Sequence, residues 1–197
     1  MIDLLNKNLL PNYFYNQFIP SMMVVVFAIL LCYKKYSPLY IILCINFLFI
    51  YSYLIHRLFH NLPKPLNIHI DYHHKIVENN YKKYFNLIIE LIANIMFFML
   101  LYLIQHFTNI YLIPNILIFY YGFIYVSVHI INYSILHVSE EHVIHHKTSN
   151  EDSRITYNYG PDLIDHIFSS NYSREFENYN HIIPNVLIAF LLSYMKN

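Results

Sequence analysis

The chain has 197 residues, 57% of them hydrophobic and only 12% charged, with two Gly and with twelve basic and twelve acidic side chains that cancel. A soluble domain carries about 25% charge, so this is the composition of a membrane protein, and the balanced charge offers no footprint for nucleic acid. Cys32 and Cys44 both sit in apolar runs, which excludes a disulfide-stapled secreted fold. The length allows one domain, 1–197, with no separate redox module.

In chain order, residues 8–33 and 36–54 contain no Asp, Glu, Lys or Arg, and each run exceeds or approaches the roughly 20 residues that cross a bilayer. The first is too long for a cleavable signal peptide and lacks a small-residue cleavage site, so it is expected to remain as an anchor. Residues 91–139 form a third charge-free stretch, interrupted at Thr108-Asn109 and at Pro114. It is long enough for a hairpin of two spans, placed at 84–106 and 111–132. The apolar segment Ile182–Tyr194 is too short to cross and is expected to lie at the interface or cap the fold. No internal repeat is visible. The expected architecture is an all-α membrane protein with about four transmembrane helices.

Four spans put the N-terminus, loop 55–83 and tail 133–197 on one face of the membrane. That face carries Lys7, Arg57, Lys64, Lys75, Lys82, Lys83, Lys147, Arg154, Arg174 and Lys196, against Lys34 and Lys35 on the other. The excess of positive charge predicts that the first face is cytoplasmic.

Of the thirteen His, eight fall in three short windows: His56 and His60; His69, His73 and His74; His142, His145 and His146. All three windows lie at or just beyond span ends on the predicted cytoplasmic face. Residues four apart on a helix share a side, so His56 with His60, and His69 with His73, can aim their rings at one point. His142 reaches His145 or His146 in the same way. Crowded imidazoles without a metal suffer desolvation and mutual repulsion whenever a pair protonates. Eight exceed the four ligands that zinc usually takes, so two metal ions are the natural count, and the ligand type suits Fe, Zn, Cu or Ni alike.

His129, near the cytoplasmic end of the fourth span, is a further expected ligand, because an unpartnered polar ring at that depth is costly. His137 could also reach the site. His106, His166 and His181 are read as ordinary interfacial or structural histidines. Asp71, Glu140 and Glu141 lie within or beside the windows and are candidates to orient ligand rings from behind. Glu90, deep in an apolar run, is expected to turn toward the metal side.

The windows and their surroundings resemble the fatty acid hydroxylase/sterol desaturase superfamily of integral membrane di-iron enzymes. The likeness rests on His56-Arg-X-X-His60, His73-His74-Lys75, His129-X-X-Asn132-Tyr133, His142-X-X-His145-His146, Tyr157-Asn158-Tyr159-Gly160 and Asp165-X-X-Phe168, and it covers roughly residues 40–174. There are departures. Three residues rather than two separate His69 from His73, Leu87-Ile-Ile-Glu90 stands where many relatives have His-Pro-X-Glu, and Ile164 precedes Asp165 where Trp is common. The interval from His129 to His142 is also short for the family.

The resemblance implies O2-dependent hydroxylation or desaturation of an unactivated C–H in a membrane lipid, an acyl chain or a sterol, at two iron ions, with zinc able to replace iron on overexpression. Asn132 and Tyr133 then belong to the surroundings of the site. Two glycines leave no dinucleotide-binding motif, so electrons are expected from a partner such as cytochrome b5 or a reductase, and the expected location is the endoplasmic reticulum with the site facing the cytoplasm. Two alternatives compete. A histidine-rich metal-binding or transport protein without oxygenase activity would place its ligands near the bilayer midplane, whereas a membrane zinc hydrolase would need a His-Glu-X-X-His motif that is absent.

Overall fold

The computed structural model describes residues 9–63, 69–74, 80–148, 157, 162–173 and 175–196, and among these the regular structure is all helical. Four helices are long and apolar enough to cross a membrane: α1 (Pro11–Cys32), α2 (Pro38–His60), α3 (Asn80–Thr108) and α4 (Asn115–Ile135). The shorter helices are α5 (Glu140–Thr148), α6 (Leu163–Phe168) and α7 (Ile183–Lys196).

Local chemistry sets the helix ends. The Ser37 hydroxyl accepts from the Tyr40 amide at 3.3 Å and Pro38 opens α2, a capped start with the missing N–H where it costs nothing. This helix does not stop at residue 54, where the expected span ends. Arg57 is exposed and interrupts nothing, so the first histidine pair occupies the last turns of α2. In the turn before α4, the Gln105 side chain donates to the Ile113 carbonyl at 2.9 Å and accepts from the Ile113 amide at 2.7 Å, and α4 begins only after Pro114.

The centre of the bundle is α4, which packs on α2, α3 and α7 and buries Leu117, Tyr120, Tyr121, Ile124 and Tyr125. Gly122 allows the closest approach: a Cβ there would lie 2.9 Å from Phe98 Cγ. By contrast α3 buries one stripe, Glu90, Asn94, Phe98, Leu101 and Gln105, and exposes Ile88, Ile92, Ile95 and Met96. Spacings of three and four make that stripe one helical face.

Helix α7, 14 residues long, is not among the four helices long enough to cross, in line with the expectation from its length. It runs beside α1 and α4, antiparallel to α4: Asn185 Nδ2 donates to Ser127 Oγ at 3.1 Å near one end, and Lys196 Nζ lies 4.4 Å over the Phe119 ring near the other. Its buried face, Asn185, Val186, Ala189 and Ser193, is mostly small, which permits close helix contact. Lys196 therefore ends toward the face of Lys34 and Lys35.

Three stretches are π-helical, Phe14–Phe18, His69–His73 and Val128–Ile135. All three lie at the histidine end of the bundle. A π turn closes i→i+5 bonds and admits one extra residue per turn, which changes which side chains share a face.

Candidate metal centre

Three elements bring five imidazoles to one point. His56 and His60 come from the end of α2, His69 and His74 from the π turn and the residue after it, and His145 from α5. One ring nitrogen of each lies within 4.8 Å of the others. The Nε2 atoms stand 3.1 Å apart for His56 and His60, 3.0 Å for His56 and His69, 3.2 Å for His60 and His69, and 3.1 Å for His69 and His74.

The extra residue in the second window is absorbed by the π turn, whose His74 amide donates to the His69 carbonyl at 3.4 Å. His69 and His74, five apart and both expected ligands, thereby converge. The side chains of His73 and Asp71 lie outside the described residues.

These donors fit a metal ion. Two nitrogens about 2.1 Å from a shared ion stand about 3.0 Å apart at a right angle and about 3.4 Å at the tetrahedral angle, which brackets the observed spacings. At His56 the tautomer is fixed as well. Its Nδ1 lies 2.6 Å from the Tyr157 carbonyl, which can only accept, so Nδ1 carries the proton and Nε2 presents its lone pair inward.

A second set adjoins the first. On α5, His142 and His146 bring their Nε2 atoms to 2.8 Å, so this helix sends His145 to one set and its neighbours to the other. The His129 ring centroid lies 5.3 Å from that of His142, and Tyr133 stacks on His142 at 4.7 Å. Glu90 Oε1, from the inner stripe of α3, contacts His129 Nε2. Asn132 donates to the His181 carbonyl at 2.8 Å.

Behind the first set stands a polar support that motif reading missed. Asp165 Oδ1 accepts from the Tyr157 amide at 2.9 Å and from Ser170 Oγ at 2.8 Å, and Ser170 Oγ lies 2.9 Å from the Tyr53 hydroxyl. Tyr157, Asp165 and Tyr53 are all buried. The loop carbonyl that orients His56 is thus pinned to α6 and α2. Asp165 was legible only as part of a motif, and the use of a backbone carbonyl has no sequence signature.

Another support joins the first span to the tail. Gln17 donates to Asp162 Oδ2 at 3.0 Å and to the Glu177 carbonyl at 2.8 Å, and accepts from the Asp162 amide at 3.0 Å. Glu177 in turn accepts from Ser139 Oγ and the Glu140 amide, each at 2.8 Å, just ahead of the ligand-bearing turn of α5. Burial, reinforced by Glu141, raises the Asp162 carboxyl well above its ordinary range, and burial also raises Glu177. Gln17 could have been suspected from sequence, as a long polar side chain inside an apolar span.

Other histidines fall as follows. His137 is exposed on a left-handed turn residue with φ 55° or less, at 52°, and is not in the assembled group. His106 is exposed toward the opposite end of α3. His166 packs its ring 4.2 Å from Phe176, and His181 lies 2.9 Å through Nδ1 from the Asn178 carbonyl. Burial lowers both from the usual histidine range. Of the acids beside the third window, Glu140 is exposed and Glu141 buried.

A cleft reaches this centre from the side of α3. Phe59, Phe97, Ile89 and Ala93 line it, together with His69 and Glu90 at its polar end. Its enclosed part has room for about one water.

No curated protein and no solved structure matches the chain. The family description that does match is "Fatty acid hydroxylase", over residues 39–170, a stretch that begins with α2 and ends at Ser170, the residue that braces Asp165. With the match extending over most of its length and the histidines gathered at the end of its apolar helices, the chain belongs to the fatty acid hydroxylase family, within the fatty acid hydroxylase/sterol desaturase superfamily.

Proposed function

We propose that the chain is an O2-dependent lipid oxygenase that hydroxylates or desaturates an unactivated C–H of an acyl chain or sterol. The observation that carries this reading is the convergence of five imidazoles at one end of an apolar helical bundle, in a chain of this family. Two iron ions, when bound, supply the O2-dependent oxidation. His56, His60, His69, His74 and His145 would hold one, and His129, His142 and His146 the other.

The work of the protein is positional. Tyr157 holds His56 in the ligating tautomer, and Asp165 holds Tyr157. The cleft lined by Phe59, Phe97, Ile89 and Ala93 also has His69 and Glu90 in its wall, which suits an apolar substrate reaching the histidines. The Phe59 and Phe97 rings are in contact, 4.4 Å between centroids, so one of them must rotate to admit a chain. Electrons come from an external donor, cytochrome b5 or a reductase, and the site faces the cytoplasm at the endoplasmic reticulum.

Histidines gathered at span ends, rather than at the midplane on broken helices, argue against transport. The test compares the lipids of a host expressing the protein with those of a host expressing a His145→Ala variant. A hydroxylated or newly unsaturated lipid should appear only with the first. Identical lipid profiles, with both proteins inserted and folded and an electron donor present, would refute the proposal.

A further inference from the structure

We infer that Glu90 is itself a ligand of the second metal ion, so that the two ion sites differ in kind: imidazoles alone at one, imidazoles with a carboxylate at the other. This rests on the two-metal reading above and deepens it.

The position of the residue comes first. Glu90 lies about ten residues into α3, roughly 15 Å along the helix axis, in the most apolar of the four spans, and is 6% exposed. A carboxylate at such a place persists only with a partner that stabilises its charge.

The atom it meets decides the role. Around the first ion site the rings face inward through Nε2, and the group that steadies His56 from behind sits on Nδ1. A carboxylate that only steadied His129 would sit on Nδ1 in the same manner, leaving Nε2 for the ion. Glu90 Oε1 instead meets Nε2. A carboxylate oxygen and an imidazole Nε2 in contact are two donors that one ion can share by coming between them.

Two further contacts hold the carboxylate there. The Ser134 hydroxyl lies 3.0 Å from Glu90 Oε1, and Asn94 Nδ2 donates to the Glu90 carbonyl at 2.9 Å. His129 in turn neighbours His142, whose Nε2 pairs with that of His146, so the four residues are contiguous. Charge points the same way, because neutral imidazoles bring no negative charge to two cations in a low-dielectric site and Glu90 brings one. The oxygen donor also makes the second site harder than the first, favouring iron or manganese over copper.

The experiment counts metal in the intact protein in lipid nanodiscs, loaded with Fe(II) without oxygen and then washed with a chelator. Wild type should retain two ions and Glu90→Gln and Glu90→Ala one each, the remaining ion showing that the fold and the first site survive. Glu90→His and Glu90→Asp, which restore a donor, should recover the second ion, and Glu175→Gln, at an exposed residue, should keep both. Glu90→Gln preserves side-chain shape and carries the test if Glu90→Ala does not fold. Two ions in Glu90→Gln, held with affinity about 10–100-fold weaker as an outer partner would give, or held unchanged, overturn the inference. A wild type that holds only one ion overturns the two-metal reading itself, and the two failures are thereby distinguishable.

Discussion

The two arms of the second hairpin, α3 and α4, are the most and the least apolar of the four spans, and their burial runs the opposite way. Within the windows that cross the membrane, 17% of α3 is buried against 72% of α4. Hydropathy here reports exposure to lipid rather than depth in the protein, because a helix bathed in hydrocarbon must be apolar outside, whereas a central helix can carry Tyr, Ser, His and Asn that find partners. The inner stripe of α3, with Glu90, Asn94 and Gln105, obeys the rule of the buried helix on the surface of the exposed one.

Substitutions ranked by size can break this contrast. The largest effect is expected at the centre: His129→Ala on α4 should lower product formation more than ~100-fold, beyond the range of an outer partner, in protein that elutes and unfolds normally. Activity within tenfold of wild type would show that central burial of this ring is structural. Next is Gly122→Leu, which forces Phe98 and hence α3 away from α4 and should destabilise by about 1–3 kcal/mol, read from thermal unfolding in detergent. Pairing it with Phe98→Ala should recover part of the loss, and no recovery would mean that the close approach is not what Gly122 provides.

A third variant concerns the polar support beyond the spans. The folded-state values of Asp162 and Glu177 are raised, so their contribution to stability is fully present below the ordinary carboxylate range and is lost as pH rises through the raised values. Asp162→Asn keeps an acceptor for Gln17 and cannot ionise. Its melting temperature should fall less steeply than that of wild type as pH is raised above the ordinary carboxylate range, and parallel curves would remove Asp162 as the cause. The smallest effect is expected at Ile92→Ala on the outer face of α3, within about 0.5 kcal/mol. A larger loss would mean that this face is covered by protein.

Residue type and spacing made much of this molecule legible in advance. Charge-free runs located the spans, and clustering pointed to the five rings that converge, since crowded imidazoles repel whenever a pair protonates and so need a reason to be together. What stayed hidden has a common cause in backbone geometry. The π turn that pairs His69 with His74 leaves no compositional trace, nor does a carbonyl from Tyr157 behind His56. The Gln17–Asp162 pair joins residues 145 apart, a separation that no local pattern spans. Helix α7 shows its shortness in the sequence, but not that its small buried face packs along α4.

The link from Gln17 to Asp162 also bears on biosynthesis. Four of the first five rings are made early, on α2 and the turn after it, and the four long helices can insert before His145, Tyr157 or Asp162 has left the ribosome. Until those residues arrive, Gln17 has no clasp and the first ion site lacks its fifth ring and the carbonyl that orients His56. A nascent or truncated chain would therefore carry four of these five rings without the tail residues that brace them, so the clasp between the first span and the tail makes completion of the cluster a late event of folding.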